Sequence, residues 1–166
     1  MSESLAMGTE QVARPRMQVR RFRDDDMSEW LRLSQALDPA TPRDEHLEDM
    51  RLIRARRDAA VFVIERPMGG LAGYVEVASR SYADGCATSP VGYVEAWYVD
   101  ADVRRAGYGR ALLNAAEEWA RAQGYTEIAS DALLENELSL YAHLGSGYRI
   151  VDRVVQFRKS LVADRS

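Results

Sequence analysis

The stretch Trp97-Tyr98-Val99-Asp100-Ala101-Asp102-Val103-Arg104-Arg105-Ala106-Gly107-Tyr108-Gly109-Arg110 decides how this chain is read. Its aromatic and β-branched start closes a strand, and the aspartates after it make a turn. From Gly109 on, Leu112, Ala115, Ala116 and Trp119 recur at helical spacing, which predicts a helix over residues 109–123 with Gly124 as its stop. The loop between strand and helix therefore lies at a helix N-terminus. Backbone N–H groups there have no intrahelical partner and the helix dipole adds positive potential, so the loop attracts an anion. Arg104, Gly107 and Gly109 stand as Arg-x-x-Gly-x-Gly, and glycine lets a ligand approach the backbone closely. A plain strand-to-helix turn is the competing reading of so short a motif. A nucleotide-binding P-loop would need a lysine after Gly109, where Arg110 stands, and a dinucleotide fingerprint would need a third glycine.

Working outward, residues 18–22, 61–65, 73–79, 91–99 and 125–130 read as strands, and residues 148–158 as a last strand or strand pair. Residues 28–37, 44–56 and 135–144 read as helices, with Pro67-Met68-Gly69-Gly70 turning a hairpin. The order predicts an α/β (α+β) fold: a mixed, mostly antiparallel twisted sheet, flanked by helices on both faces, with one parallel crossover. Residues 1–16 read as a disordered leader, 17–160 as a single domain and 161–166 as a tail.

At 166 residues with 46% hydrophobic content, the chain has material for one real core. A net charge of −4 argues against a general nucleic-acid binder. A lone cysteine, Cys86, excludes an internal disulfide, and two histidines are too few for a His-rich metal site, so no metal is expected. No apolar run approaches a membrane span, and the N-terminus lacks the apolar core of a secretory signal. The expected compartment is a reducing cytoplasm, with no membrane partner.

The loop and the Trp97-Tyr98-Val99 strand before it resemble the acetyl-CoA site of the GNAT N-acetyltransferases. The resemblance continues in order through Asn136, Ser139 and Gly147-Tyr148, over nearly the whole chain. It implies that the backbone of Trp97, Tyr98 and Val99 pairs with the pantetheine arm of acetyl-CoA. N–H groups from Arg105, Ala106, Gly107, Tyr108, Gly109 and Arg110 would hold the pyrophosphate, Arg104 would add charge, and Asn136 would meet the pantetheine. Where many GNAT members carry a tyrosine as general acid toward the leaving thiolate, this chain has His143, which either donates that proton or only packs there.

Ser89-Pro90-Val91, Ala129-Ser130-Asp131, Glu135-Asn136, His143 and Asp152-Arg153-Val154-Val155 resemble, more narrowly, the aminoglycoside 6′-N-acetyltransferases. That resemblance implies a cationic aminoglycoside as acceptor, held by Glu95, Asp131 and Asp152 and covered by Tyr82, in a homodimer. Glu95 would also take the proton that the ammonium must lose before attack. Simple alternation puts Glu95 with Trp97 and Val99 on one side of the strand, unless a bulge near Tyr98 intervenes. One departure is Asp38, where that family tends to carry a tryptophan before the early proline. Another polyamine or protein amine as acceptor, or an acyl-CoA-binding module without catalysis, are the alternatives.

Overall fold

A computed structural model describes residues 17–161; the leader read over residues 1–16 lies outside them, as do residues 162–166. Strand β1 (Val19–Arg21) leads to helices α1 (Met27–Leu37) and α2 (Arg43–Ala55). The hairpin β2 (Ala59–Glu65) and β3 (Leu71–Arg80) follows, then β4 (Val91–Val99), α3 (Tyr108–Ala122), β5 (Ile128–Ser130) and α4 (Glu137–Gly145). The sheet runs β1-β2-β3-β4-β5, antiparallel except for β4 and β5, which are joined through α3.

Each face of the sheet has its own core. On one face α3 lays Leu112, Leu113, Ala116, Trp119 and Ala120 against Ile64, Val75, Val77 and Val94. Leu113 and Ala120 thus join the buried stripe, while Ala115 is only half-buried: against the sheet the helix buries a wider arc than a narrow stripe, rotated away from Ala115. On the other face Trp30, Leu31 and Leu33 of α1 and Met50 of α2 pack on Val61, Val63, Leu71 and Tyr74. Burying a side chain such as Leu112 stabilises the fold by about 1.5–3 kcal/mol.

Two expectations fail. Residues 148–161 form no strand: Ile150, Val151, Val154, Val155, Phe157 and Leu161 are all exposed. A strand needs a neighbouring edge for its N–H and C=O groups, and a three-residue β5 offers this segment none that it takes. The other concerns β4. Glu76 pairs with Ala96 and Val77 with Val94, so Glu95 is the extra residue of a β-bulge. The bulge reverses the simple alternation. Trp97 and Val99 face α3, and Glu95 turns away from them, toward Arg56 at the end of α2.

Candidate active site

Strand β4 is paired with β5 only from Gly92 to Val94. Beyond the bulge, residues 96–99 keep their pairs with β3 but lie past the end of β5. This leaves an edge of backbone donors and acceptors open to an extended ligand, the same chemistry by which a strand is added to a sheet. The far end of that edge is locked. Asp100, buried, donates its N–H to the carbonyl of Ala72 (2.9 Å) and accepts from Arg32 (3.1 Å) and Arg66 (2.7 Å).

The loop that follows turns the open edge into the first turn of α3. The first bond into the helix is made by the Ala111 N–H to the Gly107 carbonyl (3.0 Å). The N–H groups of Tyr108, Gly109 and Arg110 come before it, at the positive end of the helix dipole. Gly107 is at φ 93° and Arg105 at φ 64°, so the loop passes twice through the left-handed region. Gly107 enters that region freely, and Arg105 does so at some cost. Gly109 has a different reason to be glycine: a Cβ there would lie 2.8 Å from the Trp97 ring. The Trp97 indole N–H is buried beside it with no hydrogen-bond partner among the described residues. Arg104 is not a free cation; its Nε donates to the Val99 carbonyl (2.9 Å) and its guanidinium lies 5.5 Å from the Tyr98 ring. Arg110 donates from its side chain to the Gly145 carbonyl and ties α3 to α4, leaving exposed Arg105 as the loop's outward charge.

At the near end of the edge, β5 and α4 meet through His143. Its Nδ1–H donates to the Ser139 carbonyl (2.8 Å), which can only accept. That fixes the tautomer, so the neutral ring uses Nε2 to accept from the Ser130 hydroxyl (2.9 Å). The ring also stands edge-on between Trp97 (5.0 Å) and Tyr148 (5.3 Å). Asn136 is the N-cap of α4, its Oδ1 accepting from the Ser139 N–H (3.0 Å), which leaves Nδ2 to meet a ligand.

The acidic residues gather on the other side of β4. Glu95 is held through both oxygens by Arg80, with Arg56 at 3.9 Å. The Arg80 guanidinium stacks 3.4 Å over the Tyr93 ring, and the Tyr93 hydroxyl donates to Asp131 (2.7 Å). Glu95 and Asp131 are thus joined through Arg80 and Tyr93, which the sequence reading passed over. Burial, and then the bond to Asp131, push the Tyr93 hydroxyl well above the usual phenol range. Tyr82 is exposed and donates to Asp84 (2.6 Å), and Asp152 is close enough to add to the upward shift of the Tyr82 hydroxyl. Glu127 clamps the loop beyond Tyr82 by accepting from the Ala87 N–H (2.9 Å) and the Thr88 N–H (2.6 Å). Asp38, by contrast, is absorbed in its own turn, accepting from Ala40 N–H (3.2 Å) and the Thr41 hydroxyl (2.6 Å).

Glu76 was also missed. It lies on β3 beside the bulge, half-buried, its Oε1 accepting from the Trp30 indole N–H (3.0 Å). Burial is the main cause that pushes its carboxyl up to about 7, against the Trp30 bond, with Glu95 and Asp49 adding to the rise. A single Glu inside the apolar run Tyr74-Val75-Glu76-Val77 was the available signal. Among the described residues no group of three or more His, Cys, Asp or Glu is arranged to hold a metal, and no helix is long and apolar enough to cross a membrane.

An open strand edge running into a glycine-bearing helix N-terminus is matched by the comparison with known families: residues 25–146 match the acetyltransferase (GNAT) family. The chain belongs to this family. An aminoglycoside N(6′)-acetyltransferase type 1 from Klebsiella aerogenes is 39% identical over 146 residues, 86% of this chain and 96% of that protein. One of the same name from Serratia marcescens is 36% identical, over 82% of this chain and 94% of its own. Among solved structures, AAC(6′)-Iy in complex with the bisubstrate analogue CoA-S-monomethyl-acetylneamine superimposes with a TM-score of 0.81 at 30% identity, covering 87% of this chain and 99% of that one. AAC(6′)-Ih from Acinetobacter baumannii does so with a TM-score of 0.80 at 31% identity, over 88% and 99%. The mixed sheet with helices on both faces is therefore the GNAT fold expected from the sequence.

Proposed function

We propose that the protein transfers the acetyl group of acetyl-CoA to the 6′-amine of aminoglycosides, which confers resistance to these drugs. The observation that carries this is the junction at the β4 bulge. A backbone-lined groove suited to a phosphorylated, amide-bearing arm meets there an acidic wall suited to a polycation. The residues fit acetyl-CoA: residues 97–99 offer an unpaired strand edge, and residues 105–110 offer N–H groups and the Arg105 charge to the pyrophosphate. When bound, it supplies the activated acetyl carbonyl. A strand N–H beside the bulge polarises that oxygen. His143, reached through Ser130, lies on the side where the thiol departs.

Glu95, Asp131, Asp152 and Tyr82 hold the amino groups of the acceptor. Its ammonium groups displace Arg80 from Glu95, exchanging one ion pair for another. A thiol-release assay with kanamycin tests the reading. CoA release with 6′-amino drugs and none with their 6′-hydroxyl counterparts is expected, whereas turnover confined to spermidine or a peptide rejects it.

A homodimer closed through residues 148–161 completes the proposal. Six exposed apolar side chains in a segment with no strand partner among the described residues give a second copy both area to bury and backbone to pair. Light scattering is expected to give twice the chain mass, and ending the chain before residue 148 to give the single mass. A cytoplasmic location is supported by the single, unpaired Cys86 and is checked by cell fractionation.

A further inference from the structure

Transfer to an amine requires that the bound ammonium lose a proton first, and the structure holds two carboxylates at the bulge, in different states. Glu95 is neutralised by the two-point contact from Arg80, with Arg56 also near. Among the described residues Glu76 has no cation against it. From α1 the Trp30 indole meets one oxygen; from α2 Asp49, and from β4 Glu95, contribute only negative charge; Tyr74, its neighbour on β3, has its hydroxyl against Ser34 (3.1 Å). The second oxygen, Oε2, accepts no hydrogen bond from the described residues, yet it is not among the sealed unpaired atoms. Its backbone partner is Ala96, the first residue of the open β4 edge after the bulge.

We propose that Glu76, and not Glu95, receives the proton of the substrate ammonium. This deepens the acetyltransferase reading and rests on it. An N–H bond of the ammonium breaks and an O–H bond forms on Glu76 Oε2. The freed lone pair makes the new C–N bond as the thioester C–S bond breaks. The second amine proton goes to the thiolate, and Glu76 returns its own to solvent, so charge and atoms balance. The upward shift of the Glu76 carboxyl suits it to hold a proton briefly at neutral pH. Trp30 holds one oxygen of the carboxyl and leaves Oε2 without a hydrogen bond from the described residues, and Glu95, once the ammonium groups have displaced Arg80, binds the rest of the polycation.

The test is the pH profile of kcat/KM for kanamycin in the wild type, Glu76→Gln and Glu95→Gln, with melting temperature and acetyl-CoA affinity measured alongside. Glu76→Gln is expected to lose about 100-fold at pH 7, within the span of general-base effects, and to recover about tenfold per pH unit as solvent supplies free amine. Glu95→Gln is expected to raise KM and, because the Glu95 charge adds to the rise of the Glu76 carboxyl, to move the acid limb somewhat downward without producing the tenfold-per-unit slope. A Glu76→Gln loss equal at every pH, or no loss, overturns the proposal, as does a Glu95→Gln profile that takes the slope instead. Should Glu76→Gln fail to fold, Trp30→Phe replaces it: releasing one bond to Glu76 is expected to move the acid limb of the profile upward, and an unmoved limb overturns the proposal. Absence of turnover on kanamycin by the wild type would instead reject the underlying acetyltransferase reading.

Discussion

The two sides of β4 solve recognition differently. Toward α3 the site is made of backbone: an unpaired edge at residues 95–99 and the N–H groups that open the helix. Toward α1 and α2 it is made of side chains: Glu95, Arg80, Tyr93 and Asp131 are joined in one network, and Glu76 stands apart on Trp30. In the proposed reading, the backbone half binds what all acyl-CoA donors share and the side-chain half sets which amine is accepted. Their failure under mutation therefore differs: the first breaks by steric intrusion, the second by loss of charge.

The sharpest way to break the backbone half is Gly109→Val. Its Cβ would start 2.8 Å from the Trp97 ring, so the loop must shift. Calorimetry is expected to show acetyl-CoA affinity lower by 100-fold or more, with stability reduced by about 1–3 kcal/mol from overpacking. Leu113→Ala, under the same helix, is expected to cost about 2–5 kcal/mol in denaturant unfolding while leaving kanamycin KM within about twofold. If both variants moved only stability, the loop would be no more than a turn.

The side-chain half is sharpened by Glu95→Ala, which removes the acidic partner and leaves Arg80 positive. Kanamycin KM is expected to rise about 10- to 100-fold, more at low salt than high, with acetyl-CoA affinity unchanged. A smaller effect is thermodynamic. Folding raises the Glu76 carboxyl from 4.5 to about 7, so between these values the folded state holds a proton that the unfolded state has lost. Stability from this group therefore falls as pH rises from 4.5 to about 7 and levels above. Melting curves should show Glu76→Gln gaining on the wild type across that window. Smallest is Asn136→Ala, which removes the α4 cap at a cost of about 1 kcal/mol and is read by thermal unfolding.

What was legible in the sequence follows the same division. The strand, turn and helix around Gly107 are local, because spacing and φ preference act over a few residues; the α3 loop, hairpin and mixed sheet were found where expected. Arg104 and Arg110 could be named from the motif, but their side chains serve Val99 and Gly145, contacts that spacing does not reveal. His143 could be named as well, yet its tautomer depends on Ser139 and Ser130 from two elements.

The sequence by itself determined the order of elements, the helix N-terminus that attracts a phosphate and the carboxylates available to an amine, because these depend on residue type and short-range periodicity. Only the tertiary structure decided which carboxylate is neutralised and which is not. One extra residue in β4 turns Glu95 toward Arg56, and Glu76 bonds to Trp30 with no cation against it among the described residues. It also decided that residues 148–161 stay outside the sheet, since a strand exists only where another edge meets it.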